Sequence, residues 1–462
     1  MSDGSPSTTA IDWTAFTARG AGPGDILLGA GVRHQLADRV HDLLPDRIAL
    51  LCDATPIPCP EGDLKSWVGD QLTGLGAVVT PVVLAANTPA DEAAVERATQ
   101  GCRDADVVVT VGSGTISDLG KVAATGRPHV IVQTAASVNG YADDESVLLR
   151  KGVKRTAPSA YATVLVVDTD IVAMAPVELN RSGLGDMISM FTAPADWYLA
   201  NQLGMDDHWS AEAALLARDR GQEMLAAARG IGESKPQDLE LLQNLLTLSG
   251  ISMGLARQTS PSSGMEHTVS HMLDMWAGAH DLPHQLHGAQ VGVTTLWASL
   301  LWQRVVSRLD DGGLPEPRPL ASADAERLVR SVFAVMDPSG HSGEECWSDY
   351  HRKLVRMQSA GFATRFADFV ANWGVHREFL LGRCLADPAA IARALREACA
   401  PVRASDLDSG EREPTVWALS NSHLMRNRFN VCDLAFVTGL WNEDVAREVI
   451  AEADRLAEGL PA

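Results

Sequence analysis

The sequence predicts an α/β domain followed by an all-helical one, and two observations carry this. Short apolar runs alternate with helical patterns over residues 1–175, and strand-like runs then give way to long stretches rich in Ala, Leu, Arg and Glu. The runs are Ile26-Leu-Leu-Gly, Ile48-Ala-Leu-Leu-Cys-Asp, Val78-Val-Thr-Pro-Val-Val-Leu, Val107-Val-Val-Thr-Val, His129-Val-Ile-Val-Gln-Thr and Val164-Leu-Val-Val-Asp. Their hydrophobicity is continuous rather than alternating, which marks strands buried on both faces of a parallel sheet covered by helices. Beyond Asp170 the helical period dominates. Over residues 445–456, Val445, Val449, Ala453 and Leu456 share one face while Asp444, Glu448, Glu452 and Arg455 stay polar. The Pro- and Gly-rich stretch 309–319 and the acidic stretch 406–413 read as surface loops between helices.

Composition narrows the function. A chain of 462 residues is long enough for two full cores. Its 59 acidic against 38 basic side chains give a net charge of -21. Phosphate backbones and anionic bilayers would be repelled, so no nucleic-acid or membrane partner is expected and a small-molecule substrate fits better. The seven cysteines are scattered and include no C-x-x-C pair, as in a reducing compartment. The N-terminus lacks a basic region followed by an apolar core, and no apolar run reaches membrane-spanning length. A cytoplasmic location is expected. Oligomeric state stays open, a homo-oligomer included.

The run Val107-Val-Val-Thr-Val leads directly into Gly112-Ser113-Gly114-Thr115-Ile-Ser-Asp118-Leu-Gly-Lys121 and then a helical pattern. Strand, Gly-rich turn and helix start together present free N–H groups and a positive dipole end, which suit a phosphate. The spacing is neither G-x-G-x-x-G nor a P-loop, so an ordinary tight turn competes with this reading. Asp53 ends the second strand run, where it could accept from a ribose hydroxyl or simply cap the next turn.

Four residues stand out as metal-ligand candidates: Asp186 in Gly183-Leu-Gly-Asp-Met, His267 and His271 in Glu266-His-Thr-Val-Ser-His, and His287 in Leu286-His-Gly-Ala-Gln. One carboxylate and two or three imidazoles can hold a divalent ion and leave a coordination position open for catalysis. His267 and His271 are four apart and share a face if Met265 to Trp276 is helical. A competing set, His280, His284 and His287, is interrupted by Pro283. Spacing alone leaves the four candidates interchangeable.

The order of motifs resembles a known family. Phosphate loop, Thr134-Ala-Ala-Ser137-Val-Asn139-Gly-Tyr, Gly152-Val-Lys154-Arg-Thr, Val167-Asp-Thr-Asp, Gly183-Leu-Gly-Asp-Met, Ser263-Gly-Met-Glu-His-x-x-x-His and Leu286-His-Gly-Ala-Gln-Val-Gly-Val follow one another. This is similar to the sn-glycerol-1-phosphate dehydrogenase branch of the iron-containing alcohol dehydrogenase superfamily, which also holds glycerol dehydrogenase and dehydroquinate synthase. The likeness runs from about residue 25 to about 300 and returns around Arg426-Asn-Arg-Phe-Asn-Val-Cys-Asp-Leu. Segment 305–420 has no match in it.

The resemblance implies a dehydroquinate synthase-like fold, with a Rossmann-like NAD(P)-binding domain at 1–175 and a helical metal-binding and catalytic domain at 176–462. By motif, Gly112, Ser113, Gly114, Thr115 and Asp118 belong to the pyrophosphate loop, Asp53 to the ribose, and Thr134 and Ser137 to the cofactor cleft. It implies Asp186, His267 and His287 as ligands of zinc, iron or nickel, zinc first. His271 then falls beside nicotinamide and substrate, and Lys154 aligns with a lysine that contacts substrate phosphate in the synthase branch. The implied activity is hydride exchange between NAD(P) and a polyol or polyol phosphate, with His271 relaying the proton. NAD is favoured over NADP because acidic Asp53 would repel a 2′-phosphate. One departure stands out: Asn139 occupies a Ser-x-Asp-Gly position usually held by Asp, and an amide can position a hydroxyl but cannot take up a proton at neutral pH. Two other readings remain, a cyclase that recycles bound NAD and a non-catalytic nucleotide-binding relative.

Overall fold

The computed structural model describes residues 11–150, 153–407 and 412–459, apart from the side chains of Val153, Lys154 and Arg412. All six apolar runs form strands: β1 (Asp25–Gly29), β2 (Arg47–Asp53), β3 (Val78–Leu84), β4 (Val107–Gly112), β5 (His129–Gln133) and, after a hairpin of β6 (Glu145–Arg150) and β7 (Val153–Pro158), β8 (Val164–Asp168). They make one parallel six-stranded sheet in the order β1-β8-β5-β4-β2-β3. Helix α1 (Leu64–Thr73) covers one face through Leu64, Val68 and Leu72. On the other face α2 (Glu92–Cys102) and α3 (Gly114–Ala123) pack Ala94, Ala98, Cys102, Ile116, Leu119 and Ala123.

The chain steps from β2 outward to β3 and returns with β4 on the opposite side of β2. Direction therefore reverses between the carboxyl ends of β2 and β4, and such a reversal opens the crevice in which α/β sheets bind ligands.

Two features depart from the sequence reading. β3 is not buried on both faces: it is the sheet edge, with Val78 65% and Val83 58% exposed. Its central Pro81 has no N–H to donate, which an edge position tolerates. The antiparallel β6–β7 hairpin has no long apolar run to announce it. Lys154 pairs with Leu149 in that hairpin, and its side chain lies outside the described residues.

Past Asp168 the described chain is helical throughout. The helices that frame the cleft or brace it are α4 (Val177–Ile188), α5 (Pro236–Ala256), α6 (Met265–Ala279), α7 (His287–Asp310), α8 (His341–Met357), α9 (Val431–Val437) and α10 (Glu443–Glu458). In α10 the buried stripe is Ala446, Val449, Ile450, Ala453 and Ala457, so Val445 and Leu456 flank the apolar face rather than centre it. The loop expected at 309–319 begins after Asp310 and runs to residue 321, whereas the 406–413 loop lies partly outside the described residues. All seven cysteines are free. Among the described residues no helix is long and apolar enough to cross a membrane.

Helices α4 and α7 meet backbone to backbone. A Cβ on Gly185 would lie 2.1 Å from the Gly288 carbonyl oxygen, and one on Gly288 would lie 1.8 Å from that of Ser182. The Gly288 N–H donates to Ser182 Oγ at 3.1 Å across the same contact. No side chain fits there, and the obstacle is rigid backbone.

Gly288→Ala is accordingly expected to destabilise the protein by about 1–3 kcal/mol or more through overpacking. Gly374→Ala, where a Cβ meets nothing within 4 Å, serves as control. Chemical unfolding midpoints read the difference, and equal midpoints for the wild type and Gly288→Ala would refute the close-contact account.

Candidate active site

Three helices bring the candidate ligands together. Asp186 sits in the last turn of α4, His267 in the first turn of α6, and His287 opens α7. One ligand atom from each lies within 4.8 Å of the others. His267 Nε2 is 3.3 Å and His287 Nε2 3.8 Å from Asp186 Oδ1. Asp186 is buried (1% exposed) and His267 nearly so (6%), while His287 is partly open to the cleft.

The groups behind these ligands fix their protonation. Glu266 Oε1 lies 3.0 Å from His267 Nδ1, and a carboxylate can only accept, so Nδ1 carries a hydrogen; the charged ring donates a second one from Nε2 to Asp186 Oδ1, and Nε2 is the nitrogen left to hold a metal once that proton is gone. Glu266 is held in turn by Thr192 Oγ1 (2.8 Å) and the Gly264 N–H (2.5 Å). Burial opposes charge on His267, yet the carboxylates of Asp186 and Glu266 raise it to about 9. Burial likewise pushes Asp186 upward, but the two imidazoles and the Asn139 N–H, donating to Oδ2 at 3.0 Å, hold it below the ordinary carboxylate range. An imidazole clamped between two buried carboxylates is a site in which a cation can replace a proton. The donor set therefore fits a divalent metal. Ser270, bonded to Gln290, supports His287 from 3.3 Å.

His271 stands one turn further along α6, its ring 5.6 Å from that of His287 and 6.5 Å from that of His267. Its Nδ1 faces Arg426 Nη2 at 2.7 Å rather than the metal position. His280 stacks on Trp276, and His284 faces Asp274 at 3.7 Å, so the competing histidine set is not assembled.

Across the cleft, α3 begins at Gly114 with Ser113 as its N-cap, and the Ser113 side chain makes no capping hydrogen bond. The other two helices packed on the sheet, α1 and α2, are capped by Asp63 and Asp91. A Cβ on Gly114 would press against Val138 at 3.0 Å, and Thr115 is exposed at the rim. Uncapped N–H groups at a helix start form an anion site. Thr134 and Ser137 follow β5 and are buried, Ser137 Oγ lying 3.1 Å from Tyr141 OH. Asp53 ends β2 and does cap its turn, accepting from Thr55 N (3.2 Å) and Oγ1 (2.9 Å). It also pairs with Lys65 Nζ at 2.9 Å, a partner the sequence did not reveal.

Two of the candidate residues also have partners within the fold. Asp118 Oδ2 accepts from the Val147 N–H at 3.3 Å, tying α3 to the hairpin. Asn139 Nδ2 donates to Ser249 Oγ at 3.0 Å, so its side chain is braced against α5 while its backbone holds Asp186.

The motifs and the geometry have counterparts in known proteins. Residues 27–176 match the family model described as iron-containing alcohol dehydrogenase. A glycerol-1-phosphate dehydrogenase [NAD(P)+] of Methanosarcina barkeri is 30% identical over 300 residues, covering 63% of this chain and 82% of that protein. This chain belongs to the iron-containing alcohol dehydrogenases, in their glycerol-1-phosphate dehydrogenase-like branch. The family is one of oxidoreductases. The Bacillus subtilis protein of the same name is 28% identical over 373 residues, covering 78% of this chain and 89% of that one. Among solved structures, a probable glycerol dehydrogenase from Sinorhizobium meliloti 1021 aligns with TM-score 0.58 at 16% identity, covering 95% of this chain and 99% of that one. A 1,3-propanediol oxidoreductase aligns at 0.54 and 16%, covering 94% and 98%. The shared fold thus extends over segment 305–420, where motifs gave no match.

The functional residues that sequence reasoning missed act through other side chains. Glu266 precedes a ligand histidine within the motif itself and was within reach of inspection. Arg426 lies 155 residues from His271, and no local pattern connects them.

Glu266→Gln should weaken metal retention roughly 10- to 100-fold, the usual cost of losing an outer-shell carboxylate. His287→Ala should abolish retention with the fold intact. Metal content after equilibrium dialysis, read beside circular dichroism, checks both, and a fully loaded His287→Ala protein would remove that residue from the site.

Proposed function

We propose that this chain is a metal-dependent, NAD(P)-linked dehydrogenase that interconverts the secondary alcohol and ketone of a polyol phosphate. The observation that carries the reading is the Asp186, His267 and His287 cluster set across a cleft from the uncapped start of α3. Family membership and the relatives named glycerol-1-phosphate dehydrogenase support the substrate class. The division of labour follows the chain: residues 1–175 hold the nucleotide, and 176–462 hold the metal and the reacting carbon.

Each residue has a role in this reading. Asp186, His267 and His287 hold the metal, with zinc favoured over iron or nickel. Gly112, Ser113, Gly114 and Thr115 hold the pyrophosphate, Asp118 steadies α3, and Thr134 and Ser137 line the cofactor cleft. When bound, the metal supplies Lewis acidity and the nicotinamide accepts or delivers hydride. His271 handles the proton. Arg426 has donors only, so Nδ1 of His271 accepts and the ring hydrogen of the neutral form resides on Nε2. That atom can give a proton to a substrate oxygen and take it back in reverse. Asn139 positions rather than reacts, since its amide is spent on Ser249. Lys154 remains our candidate for a substrate oxygen or phosphate contact.

Metal-loaded protein supplied with NADH and dihydroxyacetone phosphate should oxidise the nucleotide stoichiometrically, followed by absorbance. Loaded protein that turns over no ketose phosphate in either direction would overturn the assignment. At Asp53 the carboxylate favours NAD, and Lys65 at 2.9 Å offsets part of that preference. Asp53→Asn should lower the ratio of kcat/KM for NADH over NADPH by roughly tenfold, on the order of 1.4 kcal/mol. An unchanged ratio would detach Asp53 from the ribose.

A further inference from the structure

Arg426 carries more than the orientation of a histidine. It lies on the 425–430 loop before α9, and burial pushes its guanidinium down to about 10. Nη2 is spent on His271 Nδ1, but Nε is sealed from solvent with no hydrogen-bond partner. Among the described residues no carboxylate forms an ion pair with Arg426. Glu345 and Asp349 on α8, the nearby acids, are engaged by Arg155 of β7 at 3.1 and 3.5 Å, and Asp349 by Arg352 as well. Arg428, two residues on, donates to Ser263 and Thr259 and adds a second positive charge.

The loop is held rigidly. Lys353 of α8, buried and paired with Asp433 at 2.7 Å, donates to the carbonyls of His423 (2.7 Å), just before the loop, and Arg428 (3.1 Å), within it. A guanidinium that is largely buried, unpaired and fixed in place has its desolvation uncompensated until an anion arrives. Its fork of donors suits a phosphate or carboxylate better than a lysine does.

We propose that Arg426 is the anion-recognition residue of the substrate site, binding the phosphate of the polyol phosphate directly beside His271. The substrate's identity rests on the dehydrogenase reading, while the anion site rests on the geometry of Arg426. A single guanidinium then does two things. It sets the tautomer of the proton-carrying histidine, and it anchors the charged end of the molecule on which that histidine acts.

The test compares wild type, Arg426→Gln and Arg426→Lys on dihydroxyacetone phosphate and on dihydroxyacetone with NADH. Inorganic phosphate is also titrated calorimetrically into the metal- and NADH-loaded proteins. Because Arg426 touches His271, kcat is expected to fall on both ketones. The phosphorylated one should lose roughly 30- to 100-fold more in kcat/KM, chiefly through KM, as a charged hydrogen bond is removed. Phosphate binding should vanish in the Gln variant and partly survive in the Lys variant, which also serves if the Gln variant does not fold. Equal losses on both ketones with phosphate binding unchanged would overturn the proposal. Wild type that reduces only the neutral ketone and binds no phosphate sinks the anion site and spares dehydrogenation. Phosphate binding that depends on Arg426 in a protein inert toward every ketone does the reverse.

Discussion

The geometry of the candidate site depends on the backbone contact between α4 and α7. Asp186 follows Gly185 by one residue, and His287 precedes Gly288 by one, so the glycines that let the helices touch are next to two of the candidate ligands. Ordinary helix pairs stand 8–10 Å apart because side chains intervene. Here the intervening layer is removed, and the Asp186 oxygen comes to 3.8 Å from the His287 nitrogen. Any methyl at Gly185 or Gly288 would part the helices by far more than a metal's coordination distance tolerates. The motif Gly183-Leu-Gly-Asp-Met is thus as much a packing device as a ligand.

The electrostatics of the cluster follow from its enclosure. Asp186 and Glu266 are buried carboxylates, and each is kept ionised by an imidazole and by backbone N–H donors rather than by water. His267 lies between them and is driven toward its charged form. The pocket is built for positive charge at its centre. Glu266 holds the hydrogen on Nδ1 of His267, and Arg426 fixes Nδ1 of His271 as an acceptor. Neighbouring histidines four residues apart are thereby given opposite ring polarities, and so different chemistry, by a carboxylate and a guanidinium that lie outside the ligand set.

Much of this was legible in the chain. The six strand runs, the helical remainder and the grouping of Asp186, His267 and His287 could be read because continuous hydrophobicity, 3.6-residue periodicity and local motifs are short-range signals. The β3 run was misjudged because burial at a sheet edge is decided by what lies beside a strand, and its own residues do not encode that. The β6–β7 hairpin, only partly apolar, gave no run to detect. Asn139 looked like a lost proton carrier, but its backbone N–H and its bond to Ser249 on α5 are contacts that only the fold creates. Lys65 beside Asp53 was hidden for the same reason, since a strand end and the next helix meet only after folding.

Segment 305–420 acquires a purpose once charge is followed through the molecule. It supplies α8, whose Glu345 and Asp349 pair with Arg155 while its Lys353 holds the carbonyls of His423 and Arg428, before and within the 425–430 loop. Acids near Arg426 are therefore engaged elsewhere, and the loop is tied to α8 through Lys353. The same chain has a net charge of -21, so an unpaired guanidinium could readily have been given a carboxylate. Among the described residues it has none, in so acidic a protein and in contact with His271, which leaves one guanidinium charge without an ion pair inside the cleft. An anionic substrate gains little from the exterior of such a molecule and much from its interior, so recognition is concentrated where the reaction occurs.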